Sequence, residues 1–76
     1  MSPFLPQVSA KDLARVAKKL GFEPDRQKGS HAVFYRASDK ARIVIPMHVG
    51  RDLKPRLLRA IIEDMGITPE QFKNLL

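Results

Sequence analysis

Hydrophobic residues recur at helical spacing in the first quarter of the chain. The residues of this apolar stripe are Leu13, Val16, Ala17 and Leu20. Positions i, i+3, i+4 and i+7 lie on one face of an α-helix. A Ser-Ala-Lys-Asp capping box opens at Ser9, and Gly21 stands where a left-handed residue ends a helix. The pattern therefore predicts a first helix that begins after Ser9 and ends at Gly21.

The same spacing returns in the last third of the chain. The second stripe consists of Leu58, Ile61, Ile62 and Met65. Pro55 suits a first helical turn, and Gly66 ends the pattern. The segment "TPEQ", residues 68–71, then combines an N-cap threonine, a proline at the first helical position and a capping-box glutamine. We predict a second helix from Pro55 and a short third helix that carries Phe72.

Between the helices the apolar positions alternate, which is typical of strands. We predict three strands, "FEPDRQ", "HAVFYRA" and "ARIVIP". Pro24 confines the first strand to an edge, or the proline itself to an early position in the strand, and short connections favour an antiparallel meander with the second strand in the centre. Because side chains alternate across a sheet, Phe34, Ile43 and Ile45 are assigned to the covered face. His31 and Tyr35 then point outward, together with two valines.

The order of these elements predicts a fold class. Residues 1–8, with two prolines, form an irregular lead-in, and residues 9–76 form a single domain. The fold is α+β: an α-β-β-β-α arrangement with a three-stranded antiparallel sheet, helices on one sheet face and a short C-terminal helix. The other sheet face is left free to bind a partner.

Composition and charge narrow the function classes. The 76 residues include no cysteine, so disulfides and thiolate metal sites are excluded. No apolar run reaches the roughly 20 residues of a membrane span, and the N-terminal segment lacks the pattern of a signal peptide. We expect a soluble cytoplasmic protein without a membrane partner. The net charge is +6, and residues 26–59 alone carry +7, which favours a polyanion such as nucleic acid.

The segment "RQKGSHAVFYR", residues 26–36, holds the candidate chemistry. The two histidines are 17 residues apart and the carboxylates are scattered, so the sequence shows no metal-ligand spacing. Ser30 and His31 are neighbours and point to opposite faces of a strand, which argues against a catalytic Ser-His dyad. A single histidine can nevertheless cleave RNA, because the 2′-hydroxyl of RNA is itself the nucleophile and histidine titrates near pH 6.5. Lys28 or the flanking arginines would stabilise charge on the phosphate.

The other candidate RNA contacts in this segment follow from residue type. Gly29 allows close approach of a phosphate to the backbone, and Tyr35 can stack on a base. The candidate RNA-binding residues are Arg26, Lys28, Gly29, Ser30, Tyr35, Arg36 and His48. Each also has a structural interpretation, since a glycine here suits a turn, a serine bonds to local backbone and a tyrosine packs on a surface. Taken alone, the residues favour a structural or simple binding role for His31 over catalysis.

Several pieces of the sequence, in the same order, resemble the HicA (YcfA-like) family of toxin mRNA interferases in type II toxin–antitoxin systems. They are "KKLGF", "RQKGSH", "IVIPMH", "GRDLKPRLLRAIIEDMGI" and "TPEQFKNLL". The similarity runs from about Val8 to Leu76. One departure lies at the start of the second predicted helix, where Arg56-Leu57 replaces a pair that is often Gly-Thr in the family.

The resemblance implies a fold like that of double-stranded-RNA-binding domains and cleavage of mRNA and other RNA without a metal or other cofactor. His31 matches the catalytic histidine, Gly29 and Ser30 match the rest of its motif, and His48 matches a Pro-x-His segment. A HicB-like antitoxin is the implied protein partner and would cover His31. A non-catalytic RNA-binding module of the same fold stays open as an alternative, as does a protein-interaction role for the basic surface.

Overall fold

The computed structural model describes residues 6–47 and 53–76 of the chain. The elements are α1 (Ala10–Lys19), β1 (Glu23–Lys28), β2 (His31–Arg36), β3 (Ala41–Pro46), α2 (Pro55–Met65) and α3 (Pro69–Leu75). This order and the antiparallel sheet confirm the predicted α+β arrangement with its short C-terminal helix.

The capping box predicted at Ser9 opens α1. The Ser9 hydroxyl accepts the Asp12 backbone N–H at 3.2 Å, and the Asp12 carboxylate accepts the Ser9 N–H at 3.2 Å. These two bonds satisfy backbone donors that the first turn leaves without helical partners. The backbone N–H of Ser9, followed by the side chain of Arg15, lowers the pKa of Asp12. Gly21, at φ +94°, lies just past the helix, where the sequence placed a left-handed residue.

The boundaries of the other two helices also follow local chemistry. Pro55 is the first residue of α2, and Gly66 ends that helix with a left-handed φ of +84°. In α3, Thr68 and Gln71 form a second reciprocal capping box. No helix within residues 6–47 and 53–76 combines the length and the apolar character that crossing a bilayer requires.

The sheet has the strand order β1-β2-β3, which confirms the predicted central position of β2. β1 is an edge and Pro24 is its second residue, so both positions that suit a proline apply. A β-bulge interrupts the β1–β2 register between Pro24 and Arg26, which leaves Asp25 as the extra residue. Bulges bend a strand and re-aim side chains. Two residues of β1, Asp25 and Arg26, therefore stand opposite the single Val33 of β2.

The hydrophobic core lies between one sheet face and the helices. The sheet contributes Ala32, Phe34, Ile43 and Ile45, all buried, which confirms the predicted covered face. Val8 is also buried, with 2% exposure, and its carbonyl accepts the Leu53 N–H at 3.1 Å. The packed structure therefore includes the last residue of the segment that the sequence assigned to the lead-in.

Candidate functional site

A tight turn presents the Gly-Ser-His triplet at one end of the sheet. Gly29 and Ser30 connect β1 to β2, and Lys28 pairs with His31 across the turn. Gly29 has φ +59°, a conformation that favours glycine, and a Cβ there would meet no atom within 4 Å. The Gln27 side-chain amide donates to the Gly29 carbonyl at 3.2 Å. The backbone conformation therefore favours glycine at position 29, and the space above the turn is open.

The sheet face that the helices leave uncovered is called the open face here. It carries Glu23, Arg26 and Lys28 from β1, His31, Val33 and Tyr35 from β2, and Arg42, Val44 and Pro46 from β3. Residues directly opposite each other in an antiparallel pair share a face. The outward positions predicted for His31 and Tyr35 follow from this register, and Val44 is 45% exposed.

His31 lies exposed at the end of the open face that adjoins the turn. Its neighbours across the strands are Lys28 on one side and Pro46 on the other. Opposed residues have Cβ atoms about 4.5–5.5 Å apart, so the lysine ammonium and the imidazole reach the same bound group. Within residues 6–47 and 53–76, the His31 side chain makes no hydrogen bond or ion pair, and no hydrogen bond joins it to the Ser30 hydroxyl.

A shallow depression of about 180 Å³ lies beside this histidine on the open face. Its lining residues are Asp25, Arg26, Lys28, Val33 and Arg42. The two arginines and the lysine are exposed, and none of them forms an ion pair within the described part of the chain. Three unpaired cations around one depression, one of them opposite His31, suit a ligand with a phosphate backbone.

Tyr35 lies farther along the open face, opposite Arg42. The Arg42 guanidinium carbon is 5.2 Å from the centroid of the tyrosine ring, which is a cation–π distance. Tyr35 is half-buried, so its ring is already partly covered by this arginine.

Arg36 does not join the residues on the open face. It lies five positions after His31, and this odd separation directs its side chain to the other side of the sheet. There the guanidinium donates to the Leu20 carbonyl at 3.0 Å and to both carboxylate oxygens of Asp39 at 2.9 and 2.8 Å. It also lies 4.3 Å from the centroid of the Phe22 ring. Arg36 thus links β2 to the end of α1, and the structure does not bring it to the candidate site.

His48 lies outside the described residues. The backbone N–H of the neighbouring Met47 donates to the Ser30 carbonyl and continues the β2–β3 ladder beyond Pro46.

The basic central stretch divides between two parts of the molecule. The open face receives Arg26, Lys28 and Arg42, together with the carboxylates Glu23 and Asp25. Lys54, Arg56 and Arg59 are exposed on or beside α2, in the helical layer. The positive charge of the sequence is therefore spread over both layers, and on the open face it lines one depression, with Lys28 directly opposite His31.

Three residues that line the depression, Asp25, Val33 and Arg42, were not among the candidate RNA contacts predicted from the sequence. Arg42 alternates with Ile43 along β3, so period-two alternation was a signal that placed it on the same face as Tyr35. Asp25 reaches the depression through the bulge, for which no sequence signal stood out besides the nearby Pro24. Among residues 6–47 and 53–76, no three histidine or carboxylate side chains come together as a metal site.

Comparison with known proteins agrees with the motifs. A family model described as the HicA toxin of bacterial toxin–antitoxin systems matches residues 10–67 of the chain, which include both α1 and the whole sheet. No curated protein matches the chain significantly.

Proposed function

The chain belongs to the HicA toxin family of bacterial toxin–antitoxin systems, and on that premise we propose that it is an endoribonuclease that cuts mRNA with His31 as its catalytic group. The observation that carries this proposal is the exposed imidazole of His31, which stands opposite Lys28 and beside a depression lined by cations. Membership of the family also implies an antitoxin partner.

The proposed mechanism uses groups that RNA and the chain both supply. His31 takes the proton of the ribose 2′-hydroxyl, whose oxygen attacks the adjacent phosphorus while the bond to the 5′-oxygen of the next nucleotide breaks. The departing 5′-oxygen takes a proton from water, and the imidazolium of His31 returns its proton to solvent. The products are a 2′,3′-cyclic phosphate and a free 5′-hydroxyl, so no metal-bound water is needed. Lys28 and Arg26 stabilise the negative charge that grows on the phosphate oxygens.

The remaining members of the proposed RNA-binding set act as positioning contacts. The open space over Gly29 lets a phosphate approach the backbone at the turn, with Ser30 beside it. Tyr35 and its neighbour Arg42 offer a stacking surface for a base. His48 belongs to the proposed set through its Pro-x-His motif alone. We leave Arg36 out, because its donors are engaged with Leu20 and Asp39.

One comparison separates cleavage from simple binding. The purified protein and its His31→Ala variant are assayed side by side for binding to an RNA and for cutting it. We expect nearly unchanged binding, lost cleavage and lost growth inhibition on expression in bacteria. Lys18→Ala, which removes an exposed lysine from α1, is the control and should cut normally. A protein that binds RNA but never cuts it would instead be a non-catalytic RNA-binding module.

The chemistry itself is tested on the products. Cleavage in the presence of a chelator should leave 2′,3′-cyclic phosphate ends, and a 2′-deoxy substitution at the cut nucleotide should block the reaction. Chelator-sensitive cleavage with 5′-phosphate ends would refute the proposed mechanism.

We further propose that a HicB-like antitoxin covers His31 by binding the open face. The 45% exposure of Val44 and the partial exposure of Val33 give that face apolar area between its cations, and buried interface cores are rich in such area. Val44→Asp should therefore weaken antitoxin binding, whereas an aspartate at the exposed Ala60 of α2 should not.

A further inference from the structure

We infer that Asp25 is a base-reading residue, which accepts hydrogen bonds from the Watson–Crick edge of a guanine held in the depression beside His31. This inference rests on the proposed function, because it names the nucleotide preferred at that same site. It starts from an unusual composition: a single carboxylate shares the 180 Å³ depression with the three cations Arg26, Lys28 and Arg42.

The β-bulge explains how the carboxylate comes to be there. In a regular strand, Asp25 and Arg26 would point to opposite faces of the sheet. The register shift between Pro24 and Arg26 sets both residues against Val33, and both line the same depression. Bulges that re-aim a side chain are frequent beside functional sites. Within the described residues, Asp25 has no ion pair, so its oxygens are not committed to the neighbouring arginines.

The charged side chains of the depression attract different parts of a nucleotide. The cations at the rim attract phosphate, whereas the Asp25 carboxylate repels it. An ionised carboxylate accepts hydrogen bonds and donates none, so it requires a neutral group with N–H donors. The volume corresponds to about six water molecules at liquid density, which suits one planar base over the apolar floor of Val33.

Guanine matches these requirements better than the other bases. Its Watson–Crick edge presents two adjacent donors, the ring N1–H and the exocyclic N2 amine, which fit the two oxygens of one carboxylate. Adenine and cytosine each offer one exocyclic amine, and uracil offers one ring N–H. RNA-binding proteins read unstacked bases on this edge. A good bidentate pair discriminates by about 5- to 150-fold against the wrong base.

The test measures binding without requiring cleavage. Fluorescent 2′-O-methyl hexamers, which lack the attacking hydroxyl, carry one guanine, adenine, cytosine or uracil within a run of uracils. We expect the wild-type protein to bind the guanine hexamer about tenfold more tightly than the others. In Asp25→Asn this preference should fall to within about twofold, and the adenine hexamer should gain, because an amide pairs with the adenine edge.

Two further measurements test whether the base preference depends on Asp25 itself and whether the nucleotide binds at the depression. Asp64→Asn removes the same charge from an exposed position on α2 and should leave the order of the four hexamers unchanged. Amide resonances of Arg26, Val33 and Arg42 in the wild-type protein should shift on titration with guanosine monophosphate and shift less with uridine monophosphate. This spectrum tests the location even if Asp25→Asn fails to fold.

Each outcome separates the inference from the proposed function. Equal binding of all four hexamers by the wild type, a guanine preference that survives Asp25→Asn, or shifts confined to another surface would overturn the inference. If the wild type cuts RNA without base preference, the function stands and the inference fails. If the wild type selects guanine but never cuts RNA, the inference stands and the proposed function fails.

Discussion

Replacing Arg36 with alanine should destabilise the fold without touching the candidate site. The Arg36 side chain is only 19% exposed and makes three kinds of contact. Its bond to the Leu20 carbonyl caps the end of α1, and a hydrogen bond from a charged donor contributes about 1.5–3 kcal/mol. Its position over Phe22 adds about 0.5–1 kcal/mol. The ion pair with Asp39, which is 52% exposed, adds little because water screens it.

These contacts together give an expected loss of about 2–4 kcal/mol. In a domain of this size the net stability is only about 3–5 kcal/mol, so the variant should melt about 10–30 °C lower. Urea unfolding followed by circular dichroism measures the free energy of unfolding, and a thermal melt followed by the same signal measures the melting temperature. Arg42→Ala is the matched control, because that arginine also lies over an aromatic ring but is exposed. Within the described residues it forms no side-chain hydrogen bond or ion pair.

The control should lose less than about 1 kcal/mol, as exposed cation–π pairs do. An Arg36→Ala variant as stable as Arg42→Ala would refute the assignment of Arg36 to the fold. It would also return Arg36 to the candidates for RNA binding.

Three other predictions follow from single contacts. The guanidinium of Arg36, and to a lesser extent the Ala41 N–H, lowers the pKa of Asp39. The interaction of Asp39 with Arg36 therefore stabilises the fold above the ordinary carboxyl pKa near 3.9. This stabilisation is lost as the pH falls through the lower pKa of the folded state. The difference in urea midpoint between wild type and Asp39→Asn should therefore be largest above about pH 5 and vanish in acid; a difference that grows in acid would contradict this sign. Lys28→Ala should reduce the slope of log binding constant against log salt by about 1, whereas Lys18→Ala should leave it unchanged; equal slopes for both variants would remove Lys28 from the phosphate contacts. Gly29→Ala should cost about 1 kcal/mol in urea unfolding, because the left-handed backbone at φ +59° disfavours a Cβ even in open space, and Gly29→Asn should cost less; no loss in either variant would show that the turn adopts another backbone conformation.

Much of the fold could be predicted because its signals are local. The capping boxes at Ser9 and Thr68 each need only four consecutive residues, and Gly66 ends a helix through its own backbone conformation. The covered face followed from the alternation of Phe34 with its neighbours. Such features depend on short-range geometry, which a few consecutive residues determine.

The composition of the site was harder to predict because it depends on register. The grouping of Arg36 with His31 followed their closeness in sequence, whereas alternation along β2 separates them and the buried Phe22 ring holds the arginine on the other face. Asp25 enters the site through a bulge, and one extra residue in an edge strand leaves no periodic trace. The basic stretch looked continuous in sequence, but its described residues are divided between the sheet and the helical layer.

The most direct test of the account is the rate at which the His31→Ala variant cuts a labelled RNA, measured against the wild type at saturating protein. General acid–base catalysis contributes about 10²- to 10⁴-fold, and we predict a loss in that range with binding of the RNA retained. A variant that folds normally and cuts within a few-fold of the wild-type rate would contradict the central role given to this imidazole.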